Sequence, residues 1–469
     1  MVRMVSARSA RGAGWFCATI VAGVGLLCLR NAHSLLVPTL YTEDGVWMAK
    51  LFHQGFWHTL VHAKGGETPY FVFLNILLLQ AAKSLNAFVC GESLVHLPRF
   101  VAVLSMLFYA LLAAAPVWLL RPFLGRAARI LLWALVIFMP LGDSSFEVLG
   151  RLSNIGYGVL FLCFSLLAWR RTADRRRPWR IIMADIGVFL CATTNPLCYP
   201  VVLADSCERG WRLWRGGTSP AAVLRRSAAA RSGLGLVVAL ALAAAGMQML
   251  EPSASPFLKE SVRGSELLET IVVRPLLFPF VFPIYTRLND GSAATIAVAL
   301  AGLAWWLTRG AARERRLLLA AGAVGLYAAV ATVVMRPGLT HVLDGYSTTM
   351  LDRYYYGTSL FTVMAASAAI SGGLRGLDQR RTMTATGCLG VIAILYLGSL
   401  GTLVECRRPR WRDLPTTDFA AAVTAASSSA ATAAQRVPVQ LHPRPWKARF
   451  PAANVRATAI AMAADTIRR

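Results

Sequence analysis

Charge, and acid above all, is what this sequence has least of. Only 15% of its 469 residues are charged, against about a quarter in ordinary soluble domains, and the 23 Asp and Glu face 48 Lys and Arg. With 56% hydrophobic residues, the chain carries more apolar surface than one soluble core can absorb, which excludes a soluble enzyme. The nine cysteines are scattered without metal-ligand spacing, and Cys17, Cys28, Cys163, Cys191, Cys198 and Cys388 fall inside apolar segments as small core residues; of the seven histidines, His53, His58 and His62 alone invite a metal reading. His58 and His62 share a helical face but lack an HExxH pattern, so no metal site is assigned. Phosphate loops, dinucleotide fingerprints and serine elbows are missing from any strand-to-helix context.

What is there instead is a succession of apolar runs, most of them close to the length that a hydrocarbon core of about 30 Å demands. Short arginine clusters separate them: Arg121/Arg126/Arg129, Arg170 to Arg180, Arg209 to Arg231, Arg309 to Arg316 and Arg375 to Arg381. Clustering in loops, not along one amphipathic face, argues against nucleic acid and marks these loops as cytoplasmic. The expected fold is an all-α polytopic membrane protein of about eleven transmembrane helices, with the amino terminus cytoplasmic. Arg3, Arg8 and Arg11 precede the first apolar stretch, Trp15 to Leu29, which reads as a signal anchor and not as a cleaved peptide. The membrane domain is placed at 1–404, with a first extracytoplasmic loop at 31–98, and 405–469 is an extramembranous carboxy-terminal tail.

Parity constrains one segment. Tyr70 to Ala82 and Phe100 to Leu120 both lie between the first outer loop and the first inner one, and only an odd number of crossings satisfies the charge rule. The shorter stretch, broken by Gln80 and Lys83, is expected to be interfacial or re-entrant. Crossings at 181–193 and 196–207 are also short, and Asn195-Pro196 between them reads as a broken hairpin beside a pocket.

Chemistry concentrates in the first outer loop, where Tyr41-Thr42-Glu43-Asp44-Gly45 leads into the amphipathic pattern VWMAKLFHQGFWHTL. The structural reading is that Thr42 or Asp44 caps the interfacial helix and the acids meet its positive dipole end. The functional reading is that one carboxylate serves as a general base or holds a divalent cation. A second polar cluster, Asp143, Glu147, Arg151 and Asn154, reads either as a turn or as sugar-hydroxyl contacts, and a third comprises Asp344, Asp352, Arg353 and Tyr354 to Tyr356. The tyrosines fit an aromatic belt, and Arg353 a phosphate contact.

Acids after the first helix, an interfacial helix, the Pro-initiated apolar helix at Thr68-Pro69-Tyr70, then Leu97-Pro98-Arg99-Phe100 opening a long crossing resemble the GT-C superfamily of polyprenyl-phosphate-sugar-dependent glycosyltransferases. The order is similar to that of protein O-mannosyltransferases and aminoarabinose transferases. The resemblance implies inverting transfer of a hexose or pentose from a polyprenyl-phosphate donor to a glycan or lipid acceptor of the cell envelope, on the extracytoplasmic face of the cytoplasmic membrane. It implies Asp44 or Glu43 as base and Arg99 toward the donor phosphate. Where that family carries Lys-Pro-Pro-Leu this chain has Glu67-Thr68-Pro69-Tyr70, and Lys64 is the nearby cation. Arg353 joins the expected phosphate contacts, and Glu147, Asn154 and Tyr354 the expected substrate contacts. The competing expectations are a transporter or lipid flippase, for which Asp185, Asp205 and the Asn195-Pro196 break are the candidate features, and a noncatalytic assembly partner with the same fold.

Overall fold

The computed structural model of the chain describes residues 2–63, 71–141, 148–172, 178–215, 228–250, 264–336, 346, 353–376, 378–442 except 406–418 and 428–435, and 446–468. Apart from one β-hairpin, the regular elements among them are helices: α1 (Val2–Arg30), α2 (Thr42–His62), α3 (Phe73–Cys90), α4 (Leu97–Leu119), α5 (Arg126–Ile137), α6 (Gly156–Thr172), α7 (Pro178–Ala192), α8 (Cys198–Arg215), α9 (Ala228–Leu250), α10 (Asp290–Leu307), α11 (Ala312–Met335), α12 (Arg353–Arg375) and α13 (Gln379–Glu405). Seven helical segments of the described residues are long and apolar enough to cross a membrane: α3, α4, Glu269–Arg287, α10, α11, α12 and the Gln379–Gly398 part of α13. Apolar side chains such as Val103, Val298, Leu326 and Ile394 remain exposed on these helices, as expected where lipid is the solvent.

The arginine-rich loops gather at one end of the bundle. Ser371 accepts the Gly125 amide at its hydroxyl, 2.9 Å away, Arg375 pairs with the buried Glu314 at 2.5 Å, and Arg381 donates to the Arg309 carbonyl. At the same end Asp185 is gripped by both Arg170 nitrogens and by Ser232, and Asp205 by Arg171 and Arg209. Each of these buried carboxylates is therefore neutralised in place, as buried charges require. The break at Asn195 is closed locally: its amide donates to the Gly156 carbonyl at 2.8 Å and its carbonyl oxygen accepts the Leu197 amide at 2.9 Å.

Two of the seven candidate spans have both ends at the opposite end of the bundle. The first amides of α3 reach Thr193 and Thr194, just past α7, while the segment after its last turn is bonded to the carboxy-terminal tail through Glu92 with Asn454 and Leu94 with Thr458. The Glu269–Arg287 segment winds from a π-helix through one α turn into a 3-10 helix. Leu268 near its start and Tyr285 near its end pack in the same cluster with Tyr346. Pro275 at its middle accepts from Ser359 at 3.1 Å, six residues or roughly 9 Å along α12. Arg274, Glu269 and the Tyr285 hydroxyl form a fully buried set, with Arg274 Nη2 2.9 Å from Glu269 Oε1 and the Tyr285 hydroxyl also bonded to that carboxylate. This set pairs buried charges with one another where the helix changes pitch.

The tail is a folded unit, a departure from the all-α expectation. Helix α14 (Phe419–Ser427), strands β1 (Arg436–Gln440) and β2 (Lys447–Pro451), and α15 (Ala452–Arg468) enclose Phe419, Val437, Val439 and Phe450. The unit docks on α2: His442 forms an isolated bridge to Tyr41, exchanging backbone bonds with Leu40 and Thr42 at 3.0 Å. His53 meets the Arg449 carbonyl at 2.7 Å. Gly45 permits this docking, since a Cβ there would fall 2.5 Å from the Leu441 side chain.

Candidate functional site

Helix α1 ends with Arg30, whose guanidinium donates to the carbonyls of Ile137 and Met139 at the end of α5, so that positive charge meets the negative end of a helix dipole. One short helical turn later, His33–Leu36, the chain passes through Thr39 to the isolated bridge at Tyr41, and α2 begins. The two adjacent acids in its first turn face different ways, as the 100° helical step dictates. Glu43 is exposed and accepts from Thr42 Oγ1 at 2.9 Å. Asp44 is 0% exposed; its Oδ1 accepts the Ser153 amide at 2.6 Å and its Oδ2 the Leu152 amide at 3.1 Å.

Those amides belong to residues 148–154, which enter α6 and are held from every side. Asn31 donates to Leu149 at 2.7 Å, Asn75 to Leu152 and Ser153 at 2.6 and 2.9 Å, and Ser105 to the Arg151 carbonyl at 3.0 Å. Gly150 adopts φ +85°, and a Cβ there would sit 3.0 Å from Ser34. Arg151, 6% exposed, donates to the Thr39 carbonyl and hydroxyl at 2.7 and 2.8 Å and lies 5.3 Å above the Tyr41 ring. Ser153 Oγ and Asn75 Oδ1 are buried without a hydrogen-bond partner among the described residues.

Burial raises the Asp44 carboxyl to about 7 and Glu43 adds to the rise, while Arg151 and the two amides act against it. Asp44 therefore changes charge near neutrality. His442, from the tail, is pushed the other way, to about 4, by burial and by Arg151 and His33, so it is neutral beside the guanidinium. The carboxy-terminal unit thus contributes a residue to the surroundings of Arg151.

Above Tyr41 the cluster continues into α12. Arg353 donates to the Tyr41 hydroxyl at 3.3 Å and to the Tyr354 hydroxyl at 3.0 Å. Its guanidinium and that of Arg336 both lie over the Tyr354 ring, at 4.9 and 4.5 Å, and Tyr157 meets Tyr354 edge-on at 5.6 Å. Three guanidiniums, Arg151, Arg353 and Arg336, are threaded on two tyrosine rings, and Arg151 acts on the buried Asp44 carboxyl. α12 can approach α6 this closely because residue 357 is glycine: a Cβ would lie 2.0 Å from the Tyr157 carbonyl oxygen.

Of the expected site residues, Asp44, Glu43, Arg353, Tyr354 and Asn154 lie in or beside this cluster; Asn154 is buried, and its carbonyl accepts the Tyr157 amide at 3.2 Å. Arg99 does not join it. Arg99 is exposed on the face of α4 that also presents Val103 and Leu111, and it bonds His96 Nδ1 at 2.9 Å; that is the stance of an interfacial anchor. Ser105, 600° further round the helix, faces Arg151 instead. Lys64 and Glu147, with Thr68, Pro69, Tyr70, Asp143, Asp344 and Asp352, lie outside the described residues. His58 and His62 stack ring on ring at 4.1 Å, and no group of three metal-capable side chains occurs among the described residues.

Sequence reasoning placed Arg151 in a polar cluster read as a turn or as sugar-hydroxyl contacts, named Tyr41 without giving it a role, and overlooked Asn75 and Ser105. A lone arginine directly after a glycine, in a loop otherwise carrying acids, was the available signal. No protein-family model, curated protein or solved structure matches the chain.

Proposed function

We propose that the protein is an inverting membrane glycosyltransferase of GT-C type, taking a sugar from a polyprenyl-phosphate donor to a hydroxyl of a cell-envelope acceptor. The observation that carries this reading is the convergence of three guanidiniums, Arg151 on the Tyr41 ring and Arg353 and Arg336 on the Tyr354 ring, at the end of the bundle where α2 opens with the exposed carboxylate Glu43, away from the arginine-rich loops. In this reading α1, α4 to α13 supply eleven crossings, α3 and the Glu269–Arg287 segment return to the side they start from, and the Asp44 end is extracytoplasmic, consistent with the bias of arginine toward the cytoplasm.

The chemistry divides between the two acids. Glu43, reachable from outside, removes the proton of the acceptor hydroxyl as its oxygen bonds to the anomeric carbon. The bond from that carbon to the donor phosphate breaks and the electron pair leaves with the phosphate. Arg353 and Arg336 face the charge that develops there, and guanidiniums suit it because they stay ionised and offer paired donors, while Arg151, buried and bonded to Thr39, adds positive charge from across the Tyr41 ring. Asp44 acts as a positioning residue: it fixes residues 151–154 and through them the guanidinium of Arg151.

A cavity of about 900 Å³, lined by Leu276, Phe280, Leu300, Phe361 and Ile392 among others and almost wholly apolar, supports a lipid-linked donor. Phe361 lies eight residues below Arg353 on α12, a rise of about 12 Å, so a lipid phosphate held by Arg353 has apolar space beneath it for its chain. The transporter alternative lacks such support, because Asp185 and Asp205 are both paired at the arginine-rich end.

The test is reconstitution with radiolabelled polyprenyl-phosphate sugars. Glu43→Gln is expected to lower the rate of transfer by about 10² to 10⁴, the usual contribution of a positioned base, with donor binding retained. Arg353→Ala is expected to weaken donor binding instead. Full turnover by Glu43→Gln overturns the assignment of the base, and sugar-independent lipid movement in the same vesicles overturns the enzyme reading.

A further inference from the structure

A second set of cations sits apart from the Arg151 cluster, where the tail unit meets α2. Between them runs a groove of about 200 Å³ whose floor is Val46 and Ala49 and whose walls carry Lys50, His53, Arg436, Lys447 and Arg449. The register of the hairpin explains the convergence: Arg436 pairs opposite Pro451, Lys447 opposite Gln440 and Arg449 opposite Pro438. The three cations therefore share the exposed face of the hairpin, while Val437, Val439, Ala448 and Phe450 fill the other. Among the described residues no acidic side chain lines the groove. Like charges held this close repel one another, and a protein keeps them so at a cost.

The groove is built and not merely basic. His53 is tied to the Arg449 carbonyl, and Lys50 to the His62 carbonyl at 2.7 Å, because the backbone of α2 breaks at Gly55 (φ 74°) and turns its last residues back. Lys50 is half-buried and its ammonium is lowered from the ordinary lysine value by that burial, a cost that an anion beside it would offset. Trp57 and Trp446, 74% and 54% exposed, lie on α2 and immediately before β2. Exposed tryptophans of this kind seat at the headgroup level of a membrane.

We propose that the groove between α2 and the hairpin binds a phosphate group, carried by an anionic lipid headgroup or by a soluble phosphate ester. Arg436 and Arg449 supply the paired donors that phosphate oxygens accept, Lys447 and Lys50 the point charges. The inference is independent of glycosyl transfer, since it uses no residue of the Glu43 and Arg353 cluster. Lipid in this groove would fasten the tail unit, and with it the Tyr41 bridge, to the membrane surface.

The test uses the full-length protein and an Arg436→Gln/Lys447→Gln/Arg449→Gln variant, all three positions being exposed and their backbone bonds unaffected. Native mass spectrometry from nanodiscs containing phosphatidylglycerol and phosphatidylcholine reads retained lipid, and thermal unfolding in neutral detergent reads inorganic phosphate and glycerol phosphate against chloride at equal ionic strength. Selective retention of phosphatidylglycerol, weakened on the order of 100-fold in the variant, supports the headgroup source. Saturable stabilisation by glycerol phosphate, lost in the variant, supports the soluble one. Neither lipid retention nor phosphate stabilisation, or either persisting unchanged in a variant whose unfolding temperature without ligand matches the parent, overturns the proposal.

Discussion

Asp44 is a carboxyl whose proton decides how firmly residues 151–154 are held. Its folded value of about 7 stands above the ordinary aspartate value because burial penalises the charge. Between about pH 4 and pH 7 the folded protein therefore binds a proton that the unfolded chain has released, so this residue's contribution to stability falls as pH rises through that window and is constant above it. In Asp44→Asn the slope disappears. Thermal unfolding of both proteins in detergent from pH 4.5 to 8 measures it: the difference in unfolding temperature should shift steadily up to about pH 7 in favour of the variant, and a difference independent of pH removes the argument. The identity of this residue was legible in the sequence, because two acids at the end of an apolar run need a reason. Its partner was not. Arg99 and Arg151 both border the same end of the bundle in sequence, and only the rotation of α4 about its axis decides that Arg99 points to lipid while Ser105 points to the Arg151 carbonyl.

At the scale of elements, contact between helices depends on missing side chains. Gly357 lets the Tyr157 carbonyl touch α12 at a spacing that no Cβ tolerates, and the same approach brings Tyr157 onto Tyr354 and Arg353 onto Tyr41. Gly357→Ala is expected to force α6 and α12 apart, at a cost of about 1 to 3 kcal/mol or more, the range of an overpacked core. The checks are a fall in unfolding temperature and, in the reading proposed above, weaker donor binding with Glu43 untouched. An unfolding temperature equal to that of the parent would mean the helices do not meet there. The helices themselves were readable from apolar periodicity, and charge parity singled out α3, whose two ends are bonded at one end of the bundle. The Glu269–Arg287 segment was not: Glu269, Arg274 and three prolines inside nineteen residues resemble a loop, until the burial of Arg274 against Glu269 and Tyr285 shows the charges satisfied by one another. The hairpin escaped notice because Pro438 and Pro451 sit within its strands, and proline argues against a strand unless it lies on an edge. Both strands of a two-stranded sheet are edges.

The whole molecule is polarised: arginine-rich loops tied to one another at one end, and the acids, the guanidinium cluster and the tail unit at the other. A cysteine introduced at Gln440, in the tail hairpin, and one at Arg313, in the first turn of α11, should therefore react with a membrane-impermeant maleimide from opposite sides of a sealed vesicle, while one replacing Glu43 reacts from the same side as that at Gln440. Labelling of all three from one side would mean that the polarity does not correspond to the two faces of a membrane.

The bridge from Tyr41 to His442, with the bond from His53 to Arg449 spanning 396 residues, has a consequence for how the chain is made. The segment bearing Asp44 leaves the ribosome well before the strand that clamps it, 396 residues separating His53 from Arg449, so the candidate site stays incomplete until the hairpin has emerged. Any chain that stops short of the hairpin, by nonsense mutation or stalled synthesis, inserts most of its helices and still presents an unclasped first loop, a ready signal for a quality-control protease.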